Sequence, residues 1–171
     1  MKQLFTILTT ILFVVFVAYG QTSSQSANSN DSSDNLPKAI GYINDFENIF
    51  TDRQEKILDS LVRVFEKQTT IEIAIVTLDS SVTNKEEFDD YTLRLANYWG
   101  VGKKDKDNGI LIGISSSLRK IRIQNGYGIE NILTNEETKQ IIDNYFIPNF
   151  KTGDFFEGTM QGTVKLMEKL K

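Results

Sequence analysis

Two short stretches concentrate the side chains that could do chemistry. Trp99 to Gly109 reads WGVGKKDKDNG, setting Asp105, Asp107 and Asn108 among Lys103, Lys104 and Lys106. Asn125 to Glu130 reads NGYGIE, with glycines at 126 and 128. Every donor here is a hard oxygen or an amine. The whole chain has His 0 and Cys 0, which removes the Ser–His–Asp relay, histidine phosphatase chemistry, thiolate nucleophiles and zinc sites built on imidazole or thiolate. No GxxxxGK[ST] or GxGxxG loop occurs. What remains is carboxylates, hydroxyls, Lys, Arg and a cation held by oxygen, meaning calcium or magnesium. Asp105, Asp107, Asn108 and Glu130 are the candidate metal ligands, and Lys103 or Lys104 would hold a phosphate. The same residues also have plain structural readings. Asp107-Asn108-Gly109 is a turn signal. It resembles the start of an EF-hand loop, but its glycine comes one residue early and the distant Glu is missing. The lysine run reads as a solvated face, the two glycines as bend residues, and Trp99 and Tyr127 as packing anchors rather than ligand platforms.

The elements that must position these loops are legible from periodicity and capping. Thr51 and Gln54 form a capping box ahead of a helical stripe at Ile57, Leu58, Leu61, Val64 and Phe65. Thr70 to Leu78 is β-branched and reads as a strand. Asn84 and Glu87 repeat the capping signal before a helix with Phe88, Tyr91, Leu95, Ala96 and Trp99 inside, ended by Gly100. Gly109 to Ser115 is a continuous apolar run, the mark of a central strand. After a Ser-rich turn, Lys120 to Asn125 alternates as a strand with one wet face. Thr134 and Glu137 open another helix, which Pro148 is predicted to stop. Asp154 and Glu157 open a last one. A helix between the first two strands implies a right-handed parallel crossover, and the short turn implies an antiparallel return. The predicted fold is α/β, a three-layer α/β/α sandwich with a small mixed sheet. In it, the loop entering Gly109 and the loop leaving Asn125 meet at one sheet edge.

Residues 1–20 read as a signal peptide: Met1-Lys2, an apolar run from Leu4 to Val17, then Ala18-Tyr19-Gly20. The run is shorter than the roughly 20 residues of a spanning helix, so cleavage is expected, leaving no transmembrane anchor. Residues 21–38 are rich in Ser, Asn, Gln and Asp, a composition expected to stay a flexible linker. The folded domain is expected over 39–171. With 19 basic and 23 acidic residues and a net charge of −4, nucleic acid is excluded as a partner. The expected location is exported, periplasmic or secreted.

The loops and their surroundings resemble the TPM domain family, which includes a thylakoid-lumen acid phosphatase, a photosystem II repair protein and many exported bacterial proteins. The resemblance runs through Ile43-Asn44-Asp45-Phe46, Trp99 to Gly102, Asp107 to Leu111, Arg119 to Ile123, Gly126 to Glu130 and Ile147 to Lys151. It implies an α/β/α sandwich and a divalent-cation site on acidic loops, usually for calcium. It also marks Asp45; simple geometry puts this residue at the Asp79 end of the sheet, so it is expected to be a helix-entry residue, and a metal ligand only if the chain before Thr51 crosses the sheet edge. Gln124 stands where many members carry an acid, and Phe46 replaces a small residue. Two functions follow from the resemblance: a metal-dependent phosphatase, or a non-enzymatic module that assists an envelope protein complex.

Overall fold

The computed structural model describes residues 36–171. The expected leader at 1–20, and the expected linker up to residue 35, lie outside the described residues. A four-stranded sheet in the order β1-β2-β3-β4 forms the middle layer. Its strands are β1 (Ile43–Asp45), β2 (Glu72–Thr77), β3 (Gly109–Ser115) and β4 (Lys120–Asn125). β1, β2 and β3 run parallel and β4 returns antiparallel. Helix α1 (Asp52–Thr69) joins β1 to β2, and α2 (Phe88–Trp99) joins β2 to β3. After β4 come α3 (Tyr127–Glu130), α4 (Asn135–Ile141), a π-helical turn (Ile142–Phe146), α5 (Ile147–Lys151) and α6 (Phe155–Lys169).

Local chemistry explains the boundaries. Thr51 and Thr134 each accept from the N3 backbone while Gln54 and Glu137 reach back, so both capping boxes form as the sequence predicts. Asp154 caps α6 by accepting from Glu157 N. Gly100, at φ +64, closes α2 in the left-handed conformation that costs glycine least. Asn84 departs from expectation. It accepts from Glu86 and Glu87 N and so stabilises a turn ahead of α2, while the helix itself starts from Glu87 without a side-chain cap.

Pro148 does not stop its helix. The chain widens into the π turn at Ile142–Phe146 and then carries on through α5, where Pro148 sits in the first turn and its missing N–H is not needed. The sequence pattern also misses β1, because three residues are too few to show a period.

Alternation along β2 divides the interior. Ile73 and Ile75 join α1, α4 and α6 in one core through Leu58, Val62, Ile141 and Leu166. Ala74, Val76 and Leu78 join α2 in the other through Phe88, Tyr91 and Leu95. Each fully buried Ile, Val, Leu or Phe among them contributes about 1.5–3 kcal/mol. The fold reaches back to Leu36, which packs on the second core, and Trp99 donates its indole N–H to Pro37 O at 2.7 Å. Trp99 is therefore the predicted packing anchor. Tyr127 is not, at 78% exposed.

The two crossovers have opposite hands. α1 and α2 lie on opposite faces, yet β1, β2 and β3 are laid down in one direction. Leu78 N–H points to β3 (Ile114 O, 2.9 Å) and Ile75 N–H to β1 (Tyr42 O, 2.7 Å). On an upward strand, an L-residue whose side chain faces the viewer points its N–H to the right. Seen from the α2 face, β3 therefore lies right of β2 and the β2-α2-β3 crossover is right-handed, as predicted. The β1-α1-β2 crossover is left-handed, against the hand of about 98% of such connections.

Asp45 holds that unusual exit from β1. Its carboxylate accepts from Ile49 N at 3.2 Å, Phe50 N at 2.7 Å and Thr77 Oγ1 at 2.5 Å. Glu47 adds a second tie by accepting from Ser116 and Ser117 N in the β3–β4 turn. Phe46, large where the family pattern has a small residue, packs on the α2-side core.

Candidate functional site

The N-terminal ends of β2 and β3 and the C-terminal end of β4 lie at one end of the sheet, and there the two glycine-containing loops meet. Gly126 N donates to Gly109 O at 2.8 Å and Gly128 N to Asp107 O at 3.0 Å. The approach is too close for side chains. A Cβ on Gly126 would come 2.1 Å from Asp107 O, and one on Gly128 would come 2.1 Å from Lys106 O. The glycines therefore serve backbone contact, which is more specific than the bend role read from sequence.

Asn108 is the buried pivot, at 7% exposed. Its Oδ1 accepts from Lys103 N at 2.9 Å and its Nδ2 donates to Thr70 O at 2.8 Å. Both ends of the amide are in use, so Asn108 braces the loop onto the end of α1. Asp107 beside it holds φ +46, a conformation that Asp tolerates better than most residues.

The lysines divide. Lys103 Nζ reaches Glu66 Oε1 at 2.5 Å and lies 3.6 Å from Glu72 Oε2. Tyr42 Oη donates to the other oxygen of Glu66, and Arg63 lies over the Tyr42 ring at 4.5 Å. Burial pushes the Glu66 carboxyl up, but the hydrogen bonds from Lys103 and Tyr42 and the Lys103 and Arg63 charges outweigh it and hold it below the usual range. The Tyr42 phenol is pushed up, first by its bond to Glu66 and then by burial. Lys106 turns the same way, donating to Thr70 Oγ1 at 3.1 Å. Lys103 and Lys106 are thus drawn toward α1. Lys104 stays exposed.

That division leaves the loop carboxylates without a cation. Asp105, Asp107 and Glu130 are exposed, and among the described residues none of them pairs with a lysine or arginine. Of the predicted ligands, the structure brings 105–108 beside α3, which carries Glu130. Asp45 sits at the opposite end of the sheet, in register with Thr77, as simple geometry expects. Asp79 lies at that same far end, accepting from Ser81 N at 2.7 Å. Among the described residues no three acidic side chains gather closely enough to hold a metal ion between them. The donors at the loop end come singly or in twos.

A cleft of about 720 Å³ opens beside the loops, with Thr69, Ile71, Lys106, Asn108 and Ile129 in its walls. Sequence reading did not foresee Tyr42, Glu66, Thr70 and Glu72 as loop partners. Tyr42 precedes β1, Glu66 lies in α1, Thr70 caps its C-terminus and Glu72 opens β2, and only the sheet register sets them beside Lys103 and Asn108. Gln124, at the position where the family pattern has an acid, donates to Asp89 O at 2.8 Å and Thr92 Oγ1 at 3.0 Å and so braces α2.

Comparison with known proteins agrees with this architecture. The sequence model of the TPM domain matches residues 43–169. No curated protein matches the chain. The solution structure of the N-terminal domain of a protein from P. gingivalis is similar at 28% identity and a TM-score of 0.72, covering 81% of this chain and 90% of that one. The BA42 protein of the psychrophilic bacterium Bizionia argentinensis shares the fold at 23% identity and a TM-score of 0.63, covering 73% of this chain and 83% of its own. The N-terminal domain of the cg2496 protein from Corynebacterium glutamicum does so at 12% identity and a TM-score of 0.58, covering 80% of this chain and 85% of its own.

Proposed function

The chain belongs to the TPM domain family, and from that premise we propose that it is a binding module whose loop end takes a hydrated divalent cation. The observation that carries this reading is the split of charge at the loop. Lys103 and Lys106 are held on Glu66 and Thr70, so the Asp105 and Asp107 carboxylates face solvent unneutralised. The donors fit a hard cation in kind and a partly hydrated one in number. Magnesium keeps several waters and is held by one or two carboxylates, whereas calcium wants six to eight protein and water oxygens. Asp105 and Asp107 would supply the carboxylates, with Glu130 on α3 nearby. Asn108 would act one step back, by fixing the loop. Asp45 is a structural residue in this reading.

The cation would supply charge to orient an anionic group of a partner or small ligand, with exposed Lys104 and Tyr127 at hand for contact. Binding rather than hydrolysis is favoured because Lys103 is already paired and no imidazole is present to act as base near neutral pH. If the apolar leader expected at 1–20 directs export, the partner is an envelope component.

The test is a titration with magnesium and then calcium, followed by backbone NMR. Shifts should be confined to 103–109 and 126–130 and be absent at Asp45 and Asp79. Double replacement Asp105→Ala/Asp107→Ala should abolish them. Shifts centred on Asp45, or binding unchanged in the double variant, would remove the proposal. Chelator-sensitive turnover of a generic phosphoester that is lost in the same variant would replace it with hydrolysis.

A further inference from the structure

β4 ends the sheet, and no strand among the described residues pairs with its outer edge. The register decides which groups face outward. Gly126 N–H bonds Gly109 O, and pairing continues from Ile110↔Asn125 to Ser115↔Lys120. Lys120, Arg122 and Gln124 therefore turn their N–H and C=O toward β3, while Ile121, Ile123 and Asn125 turn theirs away from the sheet. The side chains follow the opposite bookkeeping of faces. Lys120, Arg122 and Gln124 lie on the α2 face, where they meet Asp89. Ile121 and Ile123 lie on the other face and pack into the larger core.

This edge is basic within an acidic chain. Arg119 in the turn is exposed, and the Lys120 and Arg122 side chains are 27% and 46% exposed. Asp89 is the acid against them, 3.2 Å from Lys120 Nζ and 4.0 Å from Arg122 Nη1. The chain as a whole carries −4. The opposite edge strand, β1, has only three residues, too short to add a strand of ordinary length.

We propose that the outer edge of β4 docks an extended segment of a partner protein in which acidic residues alternate with apolar ones. Main-chain groups of the segment would pair with the N–H and C=O of Ile121 and Ile123, adding a fifth strand. Its acidic side chains would share the α2 face with Lys120 and Arg122, and its apolar ones would share the face of Ile121 and Ile123. A second copy of this chain is the wrong occupant. Antiparallel β4–β4 pairing would set Lys120 and Arg122 of both copies on one face, and like charges opposite each other destabilise a sheet. The same cations that reject self-pairing select an acidic partner. The inference does not depend on the cation reading, since Arg119 and Lys120 sit at the end of β4 remote from the loops.

The test uses the whole protein and a synthetic hexapeptide, Ser-Glu-Val-Glu-Ile-Ser, with a Lys-for-Glu control. In the free protein the Ile121 amide should exchange with solvent faster than those of Arg122 and Gln124, with Ile123, at 4% exposed, between them. Adding the acidic peptide should slow exchange at Ile121 and Ile123, with affinity that falls as salt rises. Arg122→Glu should weaken binding at least tenfold, and Arg122→Gln should weaken it less, each leaving the native amide spectrum elsewhere unchanged. Slow exchange at Ile121 and Ile123 in the free monomer would overturn the proposal. So would equal binding of the Lys control, or protection that appears with protein concentration alone, the sign of a second copy.

Discussion

Gly128 donates its backbone N–H to the carbonyl of Asp107 at 3.0 Å, and through that bond the loop before β3 rests on the turn after β4. The contact exists because neither Gly126 nor Gly128 has a side chain to keep the loops apart. Gly128→Ala would drive a Cβ against Lys106 O, which lies 2.1 Å from the ideal Cβ position. Backbone cannot step aside as a flexible side chain can. The expected cost is about 1–3 kcal/mol, the usual range for overpacking, seen as a lower urea midpoint. Increased amide mobility over 103–109 should accompany it. An unchanged midpoint would show that the loops do not rest on one another.

Asn108→Ala should destabilise the domain by about 1–3 kcal/mol, because Lys103 N and Thr70 O lose a buried partner in a place water reaches poorly. Thermal unfolding measures it. Asn108→Asp tests the same geometry differently: it keeps the acceptor for Lys103 N but sets a carboxylate oxygen against Thr70 O with no proton between them, so it should cost at least as much as Ala.

Asp45→Ala should cost stability and leave cation binding alone. The carboxylate serves two backbone amides and a hydroxyl at the exit from β1, and a hydrogen bond to a charged acceptor contributes about 1.5–3 kcal/mol. Chemical denaturation gives the first half of the result and a magnesium titration the second. Loss of cation binding in a folded Asp45→Ala protein would place the ion at the far end of the sheet.

Asp107→Ala should weaken divalent binding far more than Asp79→Ala, since Asp79 lies at the other end of β2 and is tied to Ser81. Isothermal calorimetry on both variants decides it, and equal losses would break the link between the loop end and the ion.

Glu66 gives the domain an acid limb. Its folded pKa lies below the usual carboxylate range, so its stabilisation is fully present above the unfolded value, about 4.3. It is lost as pH falls through the folded value. Glu66→Gln should lower stability at pH 7 by roughly 1 kcal/mol, since the Lys103 partner is partly exposed and solvent screens it. The difference from wild type should vanish at the acid end. A difference that stays constant down to low pH would mean that the Glu66 charge contributes nothing.

Local signals determined most of this protein. β3 and β4 are read from sequence at Gly109–Ser115 and Lys120–Asn125, the limits they have in the fold. The capping residues Thr51, Thr134 and Asp154 start their helices, and Gly100 ends α2, because those preferences are settled within one helical turn. The meeting of the two loops was legible too, since it needs only an antiparallel return after β3. Tertiary structure decided the rest. The left-handed β1 crossover depends on what Asp45 and Glu47 bond across the sheet. The passage of the helix through Pro148 depends on a π turn that no propensity announces. The commitment of Lys103 to Glu66, and of Asn108 to Thr70, depends on residues far apart in the chain that the sheet register sets side by side. Sequence spacing names the side chains at the loop end. Whether each is free to take a ligand depends on what packing has already paired it with.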